Sequence, residues 1–327
     1  MRVVAYSIKN FEKELLAKAN QRKHDITLIS NALSLDTALY AEGKDAVIVF
    51  TNDDLSAQVI DRLAEMGIKY IITRSVGMDH IDLAAAKQKN IQVANIPAYS
   101  SESVAEFTVT LALALGRQLV PAVEQSRKFD FTADKNLGFN FSGKTVGIIG
   151  LGHTGQATAA IFKGFGCHVL GYDVSPVTKI PHIKIAGLDK LLKESDIISL
   201  HIPLTADTHH FIDETTIAKM KPGIMLINTS RGGLINTNDV LKGLNSGQIG
   251  YLGIDVYEHD KGLFLSDHHL DKNKDPLLET LMNHRNVIVT PHQAFLTTEA
   301  LQEIALRIIH NLDQWQKISP ADKAWVA

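Results

Sequence analysis

The stretch TVGIIGLGHTGQATAAIFKGFGCHVLGYD, residues 145–173, constrains the fold more than any other part of the chain. An apolar strand runs into Gly150, Gly152 and Gly155 in GxGxxG spacing, a helical segment follows, and a second apolar strand ends on Asp173. The first glycine permits a tight turn, the second lets a pyrophosphate approach the backbone, and the third lets helix and strand pack closely. The helix that starts around His153 and Thr154 offers unpaired N–H groups and a dipole that both favour phosphate. A glycine turn without a ligand is the plain alternative, and the complete flanking context argues against it. A carboxylate at Asp173 would hydrogen-bond a ribose diol and repel a 2′-phosphate, so NAD is favoured over NADP.

A chain of 327 residues exceeds what one ordinary core supports, and two domains are expected. Residues 1–98 alternate the strand-like runs VVAYS, ITLIS, AVIVF, YIITR and IQVAN with helical stretches such as DLSAQVIDRLAEMG, which predicts a small parallel α/β unit. SSESVAEFTVTLALALGR, residues 100–117, reads as a helix capped by Ser101 or Ser103. Between Val104 and Leu115 it is apolar on every face, so it must be buried all round, by a second subunit or between domains of one chain. A polar stretch with Phe129, Phe131, Asp134, Lys135 and Asn136 then leads into a second β/α series that runs to about residue 296. The helical last segment, with Trp315 and Trp325, is expected to return to the first unit. These readings give a Rossmann-type doubly wound domain over 100–296 and a smaller domain from 1–99 plus 297–327.

The net charge of −3 leaves no basic excess to attract nucleic acid or an anionic membrane, and neither partner is implied. MRVVAYSIKN lacks the pattern of a signal peptide, and no apolar run reaches the roughly 18 residues of a membrane span. Cys167 is the only cysteine, which excludes an intrachain disulfide and suits a reducing cytoplasm. No histidine or base motif accompanies it, so it reads as a small buried residue rather than a nucleophile.

Open parallel sheets bind ligands outside the carboxyl ends of their strands. Several apolar runs end in polar residues: IISLHIP in His201 and Pro203, IMLINTSRGG in Thr229, Ser230 and Arg231, YLGIDVYEHD in Asp255 through Asp260, and NVIVTPHQAF in His292. Singly, an arginine before Gly-Gly can be a loop charge, and a histidine after proline can serve a turn. Together they supply what reduction of a 2-oxo acid needs: a cation for the carboxylate and carbonyl oxygen, an acid for the developing alkoxide, and an anion to keep that acid charged. Arg231 suits the first task with its bidentate fork, and His292 the second. Asp255, Glu258 and Asp260 compete for the third.

In this order and at these separations, GLGHTG, HIPLT, NTSRGGLI, GIDVYE and TPHQAFLT resemble the D-isomer-specific 2-hydroxyacid dehydrogenases, and most closely the fermentative D-lactate dehydrogenases. The similarity extends over RSVGMDHID and IPAYSSESVAEFTV in the first part of the chain. The resemblance implies a flavodoxin-like substrate domain made of both chain ends, a central NAD domain, an active-site cleft between them, and a homodimer or higher homo-oligomer built on the nucleotide domains. It makes Arg231 the substrate-orienting cation, His292 the acid/base and Asp255 a nicotinamide-side contact. The histidine's partner falls five residues after that aspartate, on Asp260, where the family usually has glutamate; Glu258 is the competitor.

The resemblance also assigns a pocket. Val76 and Gly77 match a loop whose backbone amides hold the substrate carboxylate, and Tyr99 adds a hydroxyl donor. Phe50 and Phe295 match the walls around the substrate's alkyl group, although each also reads as an ordinary core aromatic. Two bulky walls favour pyruvate, with hydroxypyruvate, glyoxylate and branched-chain oxo acids as alternatives. His259, Asp267, His268, His269 and Asp271, like His209 and His210, read as solvated loop residues, because hydride transfer needs no metal. The competing function class is an NADH-sensing binding protein on the same fold, which would rely on interaction tails that this chain's short ends do not supply.

Overall fold

The computed structural model describes residues 1–97, 99, 101–175, 179–271 and 274–317. The chain divides into two compact units: Met1–Tyr99 with the segment from Leu296 onward, and Ser100–Phe295.

The first unit is built on five parallel strands, β1 (Arg2–Ala5), β2 (Asp25–Leu28), β3 (Ala46–Val49), β4 (Tyr70–Thr73) and β5 (Gln92–Ala94), in the order β2-β1-β3-β4-β5. That is the flavodoxin order expected from the sequence. Helices α1 (Asn10–Asn20), α2 (Ala57–Glu65) and α3 (Leu83–Gln88) provide the crossovers. β3 reads AVIV with every residue buried, as a central strand covered on both faces must be. The helix Thr298–Lys317 returns to pack on α1, as the sequence predicts; Trp315 stacks on Tyr70, with ring centroids 4.6 Å apart, and Trp325 lies outside the described residues. Asp313 holds the pair together by accepting from Lys23 (3.1 Å) and lying 3.0 Å from the buried His24 ring.

Arg74, just past β4, is the largest fully buried side chain of this unit and only 1% exposed. Its guanidinium donates to Glu12 (2.6 Å) and to the Tyr6 carbonyl (2.9 Å) and lies over the Phe50 ring, 5.1 Å from its centroid. A buried cation needs such a full set of partners. One side chain thereby ties the carboxyl ends of β1, β3 and β4 together.

The second unit begins with α4 (Ser101–Gly116) and α5 (Leu119–Arg127). There follow β6 (Thr145–Ile149), α6 (His153–Gly164), β7 (His168–Tyr172), β8 (Lys184–Ile185), α7 (Leu188–Glu194), β9 (Ile197–Leu200) and α8 (Glu214–Ala218). β10 (Ile224–Asn228), α9 (Thr237–Ser246), β11 (Ile249–Ile254), α10 (Pro276–Met282) and β12 (Val287–Val289) complete it. Its seven parallel strands run β12-β11-β10-β9-β6-β7-β8. From β6 the chain first winds outward through β7 and β8, then crosses to β9 and winds the other way. That reversal beside β6 is the switch point of a doubly wound sheet.

The helix α4 packs within its own unit, against α6, β10 and β11. Its cover is incomplete: Val104, Phe107, Leu113 and Ala114 are only partly buried. Gly253 explains the close seating, because a Cβ there would crowd Leu111 and Leu115 of this helix and Ile227 of β10.

Candidate active site

The sheet order places the polar strand ends of the second unit along one edge. Reading from β12 to β7, the residues that follow each strand are His292, Asp255, Arg231, His201, Gly150 and Asp173. Neighbouring strands are about 4.8 Å apart, so the ends of β10 and β12 stand roughly 10 Å from each other with β11 between them.

The glycine turn after β6 is built from the inside. Gly150 has φ +97° and donates its N–H to the Tyr172 carbonyl of β7 (2.8 Å), while a Cβ would strike the His201 carbonyl. At Gly155 a Cβ would collide with the Gly150 carbonyl, so α6 sits directly on the turn. Gly152 differs: a Cβ there would meet nothing within 4 Å, and as N-cap it offers α6 no capping side chain. The first bond of the helix is made by Gln156 N–H to the Gly152 carbonyl (3.0 Å), so the amides of His153, Thr154 and Gly155 precede it. An open approach at Gly152, the N–H groups of the first turn and a twelve-residue helix fit a dinucleotide's pyrophosphate. Asp173 ends β7 and accepts from Leu151 N–H (2.7 Å) and Ser175 N–H (2.8 Å), which fixes the carboxylate against the turn.

Along the same edge, the His201 ring lies 2.9 Å from Ser199 Oγ, and burial holds its pKa down at about 4, so the ring is neutral at pH 7. Pro203 is exposed. Ser230 donates to the Ile202 carbonyl (2.7 Å), and Thr229 Oγ1 lies 2.7 Å from Thr108 Oγ1 of α4. Half-buried Arg231 follows and donates from one guanidinium nitrogen to the Ser230 carbonyl (2.9 Å). Asn228 steadies this turn by donating to the Arg231 carbonyl (2.8 Å) and accepting from Ser230 N–H (3.0 Å).

Asp255 has no exposed surface at all. One carboxylate oxygen accepts from Thr290 Oγ1 (2.6 Å) and Gln293 N–H (2.9 Å), and the other from Ala294 N–H (2.7 Å). Both oxygens are thus committed to the turn that carries His292, a role the sequence reading missed. Within the turn His292 N–H bonds back to the Thr290 carbonyl (3.0 Å) across Pro291, whose ring pre-sets φ for such a three-residue turn. His292 itself sits at φ +56°, the left-handed region that a histidine enters more readily than a branched residue.

The two acids that competed as the histidine's partner are treated differently. Glu258 has both carboxylate oxygens engaged elsewhere, Oε1 2.5 Å from His210 Nε2 and Oε2 accepting from Thr237 N–H (2.9 Å). Burial pulls its pKa upward, but the bonds from Thr237 and His210 outweigh that and hold it below the usual carboxylate range. Asp260 is half-buried in the turn after β11, where its N–H bonds to the Tyr257 carbonyl (3.1 Å) and its carbonyl accepts from Leu263 and Phe264. His210, read from the sequence as a solvated loop residue, is therefore a partner of Glu258. Of the other loop residues, His268 pairs with Asp271 and His269 with Asp267, each at 2.7 Å. Among the described residues no group of three or more histidine, cysteine or acidic side chains converges. Cys167 is buried.

In the first unit, Phe50, Val76 with Gly77, and Tyr99 follow β3, β4 and β5, three neighbours in the sheet. Phe50 is buried beside Arg74, Val76 is exposed, and Gly77 and Tyr99 are half-buried. Asn95 donates to the Val76 carbonyl (2.7 Å) and Ser75 to that of Gly77 (2.7 Å). Because a trans peptide sets its N–H opposite its carbonyl, the Asn95 bond also aims the Gly77 amide. Phe295, at the end of the second unit, is buried.

Asp255→Asn tests the anchoring of the His292 turn. An amide replaces one acceptor oxygen by a donor, leaving a backbone N–H unsatisfied, and a loss of about 1–3 kcal/mol in urea unfolding is expected. Burial pushes the Asp255 carboxyl up to about 6, against about 4 in an unfolded chain. Protonation therefore favours the folded state: the stability Asp255 contributes is full below about pH 4 and is lost as pH rises through about 6. The deficit of the non-titrating variant should be larger at about pH 4.5 than at about pH 7.5; an equal deficit at both contradicts this reading.

The comparisons with known proteins point the same way as the geometry. Residues 109–294 match the model of the D-isomer specific 2-hydroxyacid dehydrogenase NAD binding domain. A D-lactate dehydrogenase of Curvularia clavata is 43% identical, the alignment covering 100% of this chain and 95% of that protein. Among solved structures, the pyruvate reductase of Chlamydomonas reinhardtii superposes with a TM-score of 0.90 at 40% identity over 99% of this chain and 98% of the other. A D-lactate dehydrogenase from Aquifex aeolicus, complexed with NAD and lactic acid, gives 0.87 at 34% identity over 97% and 96%. With a Rossmann sheet that presents a dinucleotide turn beside an arginine and a histidine, the chain belongs to the D-isomer-specific 2-hydroxyacid dehydrogenases and is an NAD-dependent enzyme of that family.

Proposed function

We propose that the protein reduces pyruvate to D-lactate. The observation that carries this reading is the placement of Arg231 and His292 after strands that flank β11, on the same sheet edge as the glycine turn after β6, from which only β9 separates β10. Side chains that reach inward from two strand ends roughly 10 Å apart leave room between them for a small 2-oxo acid. Arg231 grips the substrate and draws charge from its carbonyl oxygen, and His292 gives that oxygen its proton; NADH held at the glycine turn would supply the hydride. Asp260 keeps His292 in its charged form. Gly150, Gly152, His153, Thr154 and Gly155 hold the pyrophosphate, and Asp173 the ribose. His201, Pro203, Thr229, Ser230 and Asp255 lie along the nicotinamide half, the last acting through the turn it anchors. The amides of Val76 and Gly77 bind the carboxylate, Tyr99 adds a hydroxyl, and Phe50 and Phe295 limit the alkyl group to something near a methyl.

The working assembly we propose is a homodimer in a reducing cytoplasm. Its support is the segment 119–137, in which Leu119, Val120, Val123, Phe129, Phe131 and Leu137 are all exposed; Phe129 is 86% and Leu137 89% exposed. A run of large apolar side chains in contact with water marks an interaction surface. Sedimentation equilibrium should give twice the chain mass, and a monomer at micromolar concentration would refute this.

Turnover of a panel of 2-oxo acids with NADH should give pyruvate the highest kcat/KM; a clear preference for hydroxypyruvate, glyoxylate or a branched-chain acid would replace it as the substrate. In the same assay Asp260→Asn should lower turnover and move the upper limb of the pH profile of reduction to lower pH, because the anion that favours the protonated histidine is gone. Asp260→Glu should retain substantial activity. An unmoved limb in Asp260→Asn removes that residue from the mechanism.

A further inference from the structure

We propose that Glu258 and His210 form a positioning pair that sets the separation of the Arg231 turn and the Asp260 turn, so that neither catalytic side chain keeps its place without it. The proposal rests on the reading that Arg231 and Asp260 serve the reaction, and it concerns two residues outside that set.

Three chain segments meet at this pair. Glu258 lies two residues before Asp260 and sends one carboxylate oxygen to His210 (2.5 Å) and the other to Thr237 N–H (2.9 Å), at the first residue of α9. A negative group at a helix N-terminus is held by the unpaired N–H and by the dipole. Thr237 is joined to Arg231 through the short segment 232–236, which is itself fastened to the histidine: His210 N–H bonds to the Gly233 carbonyl (2.8 Å), Ile212 N–H to that of Leu234 (2.9 Å) and Asn236 N–H to that of Ile212 (2.9 Å). Asn236 Nδ2 lies 3.5 Å from His210 Nδ1, so the ring is addressed from both sides. His210 adopts φ +53°, a conformation that a non-glycine residue keeps only when its surroundings impose it.

The two turns also touch directly. A Cβ at Gly232 would collide with the Tyr257 carbonyl and crowd the Glu258 amide, so the backbone beside Arg231 rests on the backbone beside Glu258. Tyr257 fixes the far side by donating to Asp275 (3.1 Å), the residue that caps α10. Contact at Gly232 alone allows the two segments to slide; the carboxylate bridge removes that freedom. With Glu258 only 12% and His210 31% exposed at the side chain, the pair is shielded enough for its geometry to persist in salt.

The test uses Glu258→Gln, His210→Gln and the double variant in the full-length protein, with NADH fluorescence as the check that the fold and the cofactor site survive. Misplacing a substrate-positioning group by about 1 Å can cost on the order of 100-fold, so each single variant should lose about 10- to 100-fold in kcat/KM for pyruvate with KM for NADH little changed. Because the two act as one unit, the double variant should lose no more than the worse single variant. The upper limb of the pH profile should stay in place in all three, since neither residue is the partner of His292. Should Glu258→Gln fail to fold, His210→Gln carries the test alone. Wild-type kcat/KM in His210→Gln, or losses that multiply in the double variant, overturns the pair. A limb that shifts in Glu258→Gln but not in Asp260→Asn makes Glu258 the histidine's partner and overturns both readings. Non-additive losses with an unmoved limb in Asp260→Asn leave the pair standing and remove only Asp260.

Discussion

A fully buried carboxylate at the end of β11 reaches across to the neighbouring strand end and holds the turn that carries the histidine. Taking Asp255 out of water costs several kcal/mol unless its lone pairs are filled, and the Thr290 hydroxyl with the Gln293 and Ala294 amides fills them. β12 has only three residues and is an edge strand of the sheet. Pairing with β11 alone would leave its exit poorly defined. The carboxylate ties that exit to the strand beside it, and a histidine in a left-handed conformation is tolerated because the turn is held on both sides.

The sheet acts as a ruler for the rest. Strand spacing fixes how far the strand ends stand apart, and the reversal beside β6 brings the dinucleotide turn to the middle of the same edge that carries the arginine and the histidine. What the sheet cannot fix is the loops beyond the strand ends. Those are fastened by separate polar devices: Asp173 on the glycine turn, Asn228 on the Arg231 turn, Asp255 on the His292 turn, and Glu258 with His210 between the segments after β10 and β11. In the first unit Arg74 does the equivalent work for β1, β3 and β4.

Much of this was legible in the sequence, and the boundary of legibility has a physical basis. The doubly wound fold followed from strand-like runs, the glycine spacing and Asp173, all local patterns. The residues at the strand ends followed from one rule about parallel sheets. The pairings did not, because they join residues far apart in the chain: 39 positions separate Asp255 from Ala294, and 48 separate His210 from Glu258. Alternation would set Glu258 and Asp255 on opposite faces if the strand continued to 258, but β11 ends at Ile254, and the choice between Glu258 and Asp260 stayed open. His210 read as solvated because the alternative, a metal ligand, is one that hydride transfer does not need, and its partner Glu258 is 48 positions away. That α4 packs into a core was legible, but the elements of its own unit on which it packs were not, since an apolar face carries no address.

Amide hydrogen exchange across the turn that carries His292, measured in the full-length protein, tests the central claim most directly. If Asp255 is what fixes the turn, the amides of Gln293 and Ala294 exchange slowly in the wild-type protein and lose that protection in Asp255→Asn, while the amides of β10 remain protected in both. Equal protection of Gln293 and Ala294 in the two proteins would show that the turn is held without the carboxylate, and would contradict the account.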